Sequence, residues 1–174
     1  MTVMSEQNDQ DVRNGATVAY TAYFSYVKTL INELGKEKAL AYMTQSDTAR
    51  GTKAGAEIKA AAGGKDFSVR ETMDTIVDMA KGIGGIDTVL EVDDDHAKTK
   101  TAFGKCPVYE AGKAVGLEDE EIETLCRASS LPFLDSVVKQ LNPNLCYLVT
   151  EFRSEKYQGC IEEIVYRTEA EKQQ

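Results

Sequence analysis

A chain of 174 residues is long enough for one domain with a real hydrophobic core and short for two. Its 29 acidic residues against 20 basic ones give a net charge of -9, and the basic residues are scattered, which excludes the basic stripe that nucleic acid or an anionic membrane needs. No apolar run approaches the roughly 20 residues of a membrane span, so the expectation is a cytoplasmic protein whose partner is a small molecule or another protein.

The polar stretch MTVMSEQNDQDVR, residues 1–13, lacks the basic and apolar regions of a signal peptide. It is expected to be a flexible leader, followed by a single α+β domain over residues 14–174. In GATVAYTAYFSYVKTLINELG, the residues Tyr20, Phe24, Val27, Ile31 and Leu34 fall on one helical stripe, and Gly35 ends it. A second helix, from Lys36 to about Ala62, is rich in alanine. Its Gly51 and Gly55, one turn apart, fit close contact with another helix. After AAGGKD, the pair Ser68 and Glu71 has capping-box spacing for a third helix, whose stripe is Val69, Met73, Ile76, Val77 and Ala80.

Past GIGG the period changes. DTVLEVDDDHAKTKTAFG predicts two short strands joined by an acidic turn at Asp93–His96. Pro107 suits the first position of a helix reaching about Val115, LEDEEIETLC predicts another ending near Cys126, and a third short helix is expected to open at Pro132. NPN turns the chain into LCYLVTEFRS, and EKYQG turns it into CIEEIVYR, a second hairpin. The sum is an α+β fold. N-terminal helices pack on an antiparallel sheet built from two hairpins, with short helices between them.

The four cysteines, at 106, 126, 146 and 160, show no C-x-x-C pairing, and reduced thiols are expected in the cytosol. Cys106 precedes Pro107 at a helix start, where free N–H groups and the dipole favour a thiolate; it is either a nucleophile or a small buried apolar residue. Cys126 falls near a helix end, with Arg127 beside it. Cys146 reads as strand core, alternating with Leu148 and Phe152, whereas Cys160 follows Gly159, a residue suited to a tight turn or close approach. Three thiolates from Cys106, Cys126 and Cys160 would suit zinc, but without paired spacing no cofactor is expected. His96 reads as a solvated hairpin tip. Proton transfer then falls to carboxylates, with Glu110 one turn into the helix after Cys106 and Glu151 within an apolar strand as candidates. Surface exposure competes for the first, and a structural ion pair with Arg153 for the second. No Gly-rich phosphate loop is present.

With these residues in place, the chain from Leu34 to Tyr166 resembles the L-2-amino-thiazoline-4-carboxylic acid hydrolase-like family. The resemblance rests on LGKEKALAYM, the later ARG, the hairpin into KCPVYEAGKAVGL, the pair Leu125 and Cys126, LNPNL and the closing Gly159–Cys160. The pattern is also similar to the vinyl-reductase-type small-molecule binding domain. For enzymes of the family the resemblance implies ring opening of a cyclic, amidine-like thiazoline to a carbamoyl-cysteine, and it maps onto Cys106, Cys126 and Cys160. Gly159 and Cys160 are adjacent here, where the pattern separates them by a few residues.

Two functions follow as expectations. One is a hydrolase with Cys106 as nucleophile, Glu110 or Glu151 handling protons, and Tyr109, Arg127, Tyr147 and Arg153 holding a carboxylated substrate. The other is a non-catalytic small-molecule binding or sensor module. Tyr20, Tyr23 and Tyr26 on the first helix fit either a homodimer interface or a core helix with partly exposed tyrosines.

Overall fold

The computed structural model describes residues 2–92, 96–101, 106–153 and 159–167, with the side chains of residues 2–6 left aside. Helix α1 (Thr2–Leu34) takes in residues 2–13 as its first turns, so the expected leader is helical. The reason lies far along the chain. Arg13 is buried, and its Nη1 donates to the Gly85 carbonyl at 2.9 Å, capping the C-terminus of α3 (Val69–Gly84). Gly85 is left-handed, with φ 58°, and a Cβ there would lie 2.3 Å from the Asp9 carbonyl oxygen, so α1 is seated directly on that cap. The start of α3 carries the expected capping box: Ser68 Oγ accepts from the Glu71 N–H at 3.2 Å, and Glu71 Oε2 accepts from the Ser68 N–H at 2.9 Å.

Helix α2 (Lys36–Ala61) lies along α6 (Ser130–Leu141), and its two glycines explain how. A Cβ on Gly51 would sit 2.2 Å from the Phe133 carbonyl oxygen, and one on Gly55 would sit 2.7 Å from Gln140 Cβ. The helices are in the close contact that the spacing predicts. Helix α6 opens at Ser130, two residues before Pro132, which sits inside its first turn, where a missing N–H costs nothing. Between them in sequence come α4 (Pro107–Ala114) and α5 (Asp119–Ala128).

Strands β1 (Thr88–Val92) and β2 (His96–Thr101) form the first hairpin, and β3 (Leu145–Glu151) with β4 (Ile161–Tyr166) the second; the turn between β1 and β2 lies outside the described residues. The hairpins join through β2 and β4 into one antiparallel sheet of order β1-β2-β4-β3. Helices cover one face. There, successive rungs read Thr88–Thr101, then Leu90–Thr99–Glu162–Val149, then Val92–Ala97–Ile164–Tyr147. The opposite face carries Cys146, Leu148 and Val165 in a small apolar group, and His96, whose Nε2 lies 2.8 Å from Glu163 Oε2. His96 therefore belongs to a strand, on the face away from the helices. Strand β3 is a sheet edge. Its Tyr147 N–H donates to Asp135 Oδ1 at 3.2 Å, so α6 occupies a group that another strand could otherwise pair with.

A β-bulge interrupts β3, with Val149 opposite Glu162 but Glu151 opposite Ile161, so Thr150 is extra. The strand's alternation shifts by one there. Glu151 turns outward and is exposed, and Phe152 turns inward in its place.

Two apolar clusters make the core. Met73, Ile76, Val137, Leu141, Tyr147 and Ile164 fill the space between α3, α6 and the sheet. Phe24, Val27, Met43, Val108, Ile122 and Leu125 bind α1, α2, α4 and α5 together. The candidate site lies on the seam between the clusters.

Candidate functional site

A half-open cavity of about 360 Å³ runs along that seam. Its apolar wall comes from Ile76 and Met79 of α3, Leu134 of α6 and Val149 of β3, with Tyr20 and Tyr23 of α1 closing one side. Two of the three tyrosines counted on α1 are thus cavity residues, and Tyr26 is 59% exposed. At the rim, buried Asp47 accepts from Ser129 Oγ at 2.6 Å and from Arg50 Nη1 at 2.5 Å, while the Arg50 guanidinium stands over the Phe133 ring.

The cavity brings together three cysteines, one just before α4, one in α5 and one just before β4. Cys106 is the N-cap of α4, with Pro107 at the first helical position, as the Cys-Pro pair predicts. Burial nevertheless pushes its thiol up. Arg153 and the backbone N–H groups of Tyr109 and Val108 favour the thiolate, but they offset only part of the desolvation. The expected lowering by the helix start is outweighed. Cys126 is pushed well above its ordinary value by burial, and a thiolate at Cys106 or Cys160 would push it further. Cys160, whose Sγ accepts from the Arg153 N–H at 3.4 Å, is pushed up to about 11, again by burial first. All three are thiols at neutral pH. Among the described residues, no group of three or more His, Cys, Asp or Glu side chains is placed to hold a metal ion.

Gly159 explains how Cys160 reaches this position. A Cβ there would lie 2.2 Å from the Thr101 carbonyl oxygen, so only glycine lets the chain close against the end of β2, where the Thr101 N–H donates to the Cys160 carbonyl at 3.1 Å.

The carboxyl group in the cavity wall beside these thiols is Glu162 of β4. Thr99 Oγ1 donates to its Oε2 at 3.5 Å, and burial raises its pKa against the lowering influence of Tyr147, Thr99 and Arg153. The Tyr147 hydroxyl lies beside it, with its own pKa raised well above the ordinary value, chiefly by burial. After burial, the Glu162 carboxyl is the next cause of that rise, through its charge and a hydrogen bond with the hydroxyl whose geometry is far from ideal.

The other expected site residues lie around the cavity. Arg127 reaches the rim, where its Nε donates to Glu123 Oε1 at 2.8 Å. Arg153 is buried behind the lining, with its guanidinium 5.7 Å from the centre of the Tyr109 ring, and Tyr109 Oη donates to Asp119 Oδ1 at 2.7 Å. Glu110 faces α1, where Thr17 Oγ1 donates to its Oε2 at 3.3 Å, and Glu151 is on the solvent side of β3. Neither carboxylate is in the lining. Glu162 was not among the expected residues, although the sequence holds a signal for it: in CIEEIVYR it alternates with Ile164 on the buried face.

The profile of one protein family, described as L-2-amino-thiazoline-4-carboxylic acid hydrolase, matches residues 16–160. The chain belongs to this family. The match takes in Cys106, Cys126 and Cys160, and with them most of the cavity of this thiazoline-carboxylate hydrolase family member. No curated protein matches the chain. Among solved structures, the phenol-responsive sensory domain of the transcription activator PoxR, crystallised with phenol, is similar with a TM-score of 0.60 at 12% identity. That match covers 88% of this chain and 80% of the other. A trafficking protein particle complex subunit 3 from Naegleria fowleri, covalently bound to palmitic acid, is similar with a TM-score of 0.54 at 12% identity, covering 89% and 96% of the two chains. At such identities the likeness is one of fold. Among the described residues, no helix is long and apolar enough to cross a membrane.

Proposed function

We propose that this protein holds one small, predominantly apolar molecule in the seam cavity. The observation that carries the reading is the cavity itself: about 360 Å³, walled by aromatic and aliphatic side chains, with a few convergent polar groups. The three thiols support binding over catalysis. A protonated thiol is a weak nucleophile, and among the described residues no histidine or lysine stands in the lining to take its proton. The similar folds in which phenol or palmitic acid is bound are consistent with a cavity used to hold ligands.

The test is a methyl NMR titration with toluene. Signals of Ile76, Met79 and Val149 are expected to shift on binding, while Val27 and Ile122, packed in the second cluster, stay still. If the first three do not move at saturating toluene, the reading falls.

A second reading, hydrolysis, is favoured by the family match and by Cys106 and Glu162 sharing the cavity. In it, water adds to a cyclic thiazoline carboxylate and opens the ring to a carbamoyl-cysteine, with Cys106 contacting the ring carbon and Glu162 supplying the proton. Incubation with 2-amino-thiazoline-4-carboxylate, followed by mass spectrometry for a product heavier by one water, decides it. Turnover lost in Cys106→Ala supports hydrolysis; no turnover by the native protein removes it.

A further inference from the structure

The mouth of the cavity carries a cation whose place is fixed from two sides. Gly51 lets α2 lie against the Phe133 backbone, and the residue before it, Arg50, thereby sets its guanidinium 5.3 Å from the centre of the Phe133 ring. Asp47, one turn earlier, accepts from Arg50 Nη1 and from the Ser129 hydroxyl, so both of its carboxyl oxygens are engaged. Among the described residues, nothing bonds Arg50 Nε or Nη2. That edge of the guanidinium, two parallel N–H groups, is the one a carboxylate accepts from side-on. The Arg50 side chain is 69% exposed, so an anion reaches it from water. It also belongs to the lining, beside Tyr20 and Tyr23: burial pushes both of these hydroxyls up, and the Arg50 charge pulls each partly back. The other candidate arginines are engaged elsewhere. Arg127 gives Nε and Nη2 to Glu123 Oε1 at 2.8 and 2.7 Å, and Arg153 lies behind the lining.

Resting on the reading of the cavity as a binding site, we propose that Arg50 is its specificity-determining residue, holding the carboxylate of a small ring compound whose apolar body lies in the seam. The carboxylate accepts side-on from Nε–H and Nη2–H. Asp47 is a positioning residue, since it holds Nη1 and leaves the other edge open. The ring goes inward, against Ile76, Met79 and Leu134. An anion at the mouth keeps much of its hydration, whereas one placed deeper, beside the buried Glu162, would not. The same anchor serves the thiazoline carboxylate of the hydrolytic reading.

The experiment uses three probes on the full chain: phenylacetate; phenylacetamide, which has its shape without its charge; and toluene. Affinities are read by the same methyl NMR titration, and the Arg50 Nε–H signal is followed beside them. The native protein is expected to bind phenylacetate about fivefold tighter than phenylacetamide at low salt, the upper range for an ion pair open to water, and added salt shrinks that preference. Phenylacetate moves the Arg50 signal and toluene does not. Arg50→Met, which keeps an unbranched stem over Phe133, brings the ratio of the two affinities to about one. Arg50→Lys keeps a cation beside the buried Asp47, so it serves even where Arg50→Met is unstable; without the fork it retains about twofold. Equal affinity of the native protein for the two probes, the preference kept in Arg50→Met, or the full preference kept in Arg50→Lys overturns the assignment. A preference lost in Arg127→Gln but kept in Arg50→Met gives the carboxylate to the other rim arginine. In each of these cases, toluene shifts at Ile76, Met79 and Val149 leave the cavity reading intact. Failure of all three probes to move those signals overturns both.

Discussion

Gly159→Ala is expected to destabilise the protein by about 3 kcal/mol, combining the upper range of overpacking with a lost hydrogen bond. The added Cβ would meet the Thr101 carbonyl oxygen at 2.2 Å, and backbone cannot swing aside as a flexible side chain can. Relief requires the chain before β4 to part from the end of β2, which breaks the bond from the Thr101 N–H to the Cys160 carbonyl. Both residues line the cavity, so a site defect accompanies the stability loss. For a chain of this length the drop in Tm is about 6–12 °C. Gly15→Ala is the matched control: it lies in α1 with nothing within 4 Å of the added Cβ, and gains about 0.5–1 kcal/mol from helix propensity. A loss below about 1 kcal/mol in Gly159→Ala would show that the close approach is not required.

The cavity thiols are expected to alkylate far more slowly than free thiols. Cys160, held at about 11 against an ordinary value of 9, has its thiolate fraction at pH 7.4 reduced about a hundredfold, and iodoacetamide reacts with the thiolate. Cys106 and Cys126 shift in the same direction. The rate at Cys160 should keep rising past pH 10, where an ordinary thiol has levelled off. Stability follows the same proton. Between about pH 9 and 11 an unfolded chain has released a proton from Cys160 that the folded chain retains, so folding stability is complete below that window and falls as pH rises through it. Peptide-resolved alkylation across pH, with glutathione as reference, checks the rates. A Cys106 that reacts as fast as glutathione at pH 7.4 would overturn the upward shift and remove the protonation argument against a nucleophilic role.

What could be read from the sequence was local. The Ser68–Glu71 capping box, Cys106 ahead of a proline-started helix and the two glycines of α2 are each set within one or two turns, and each stands where its spacing predicts. What could not be read depends on distant partners. Arg13 is tied to a carbonyl 72 positions away, so a polar stretch with no apolar stripe of its own gave no sign of helix. Glu110 does lie one turn beyond Cys106, but that turn faces Thr17 of α1, and helical spacing alone does not say which neighbour stands there. Glu162 was within reach, as a carboxyl alternating with Ile164. Either phase of that strand exposes one glutamate, so alternation alone does not separate Glu162 from Glu163.

The bulge at Thr150 bears on how the strand tolerates changes of length. A residue added to or removed from a strand ordinarily turns everything beyond it to the wrong face. Here Val149 and Glu151 already take consecutive rungs, opposite Glu162 and Ile161, with Thr150 looped out between them and its hydroxyl bonded to Glu163 at 2.9 Å. Removing Thr150 would leave a regular ladder with Phe152 still facing inward. A deletion variant should therefore keep the same toluene-induced shifts at Val149, and losing them would mean that the extra residue itself sets the wall. On this geometry the strand carries a spare position, and the cavity wall depends on where the rungs fall rather than on how many residues it takes to reach them.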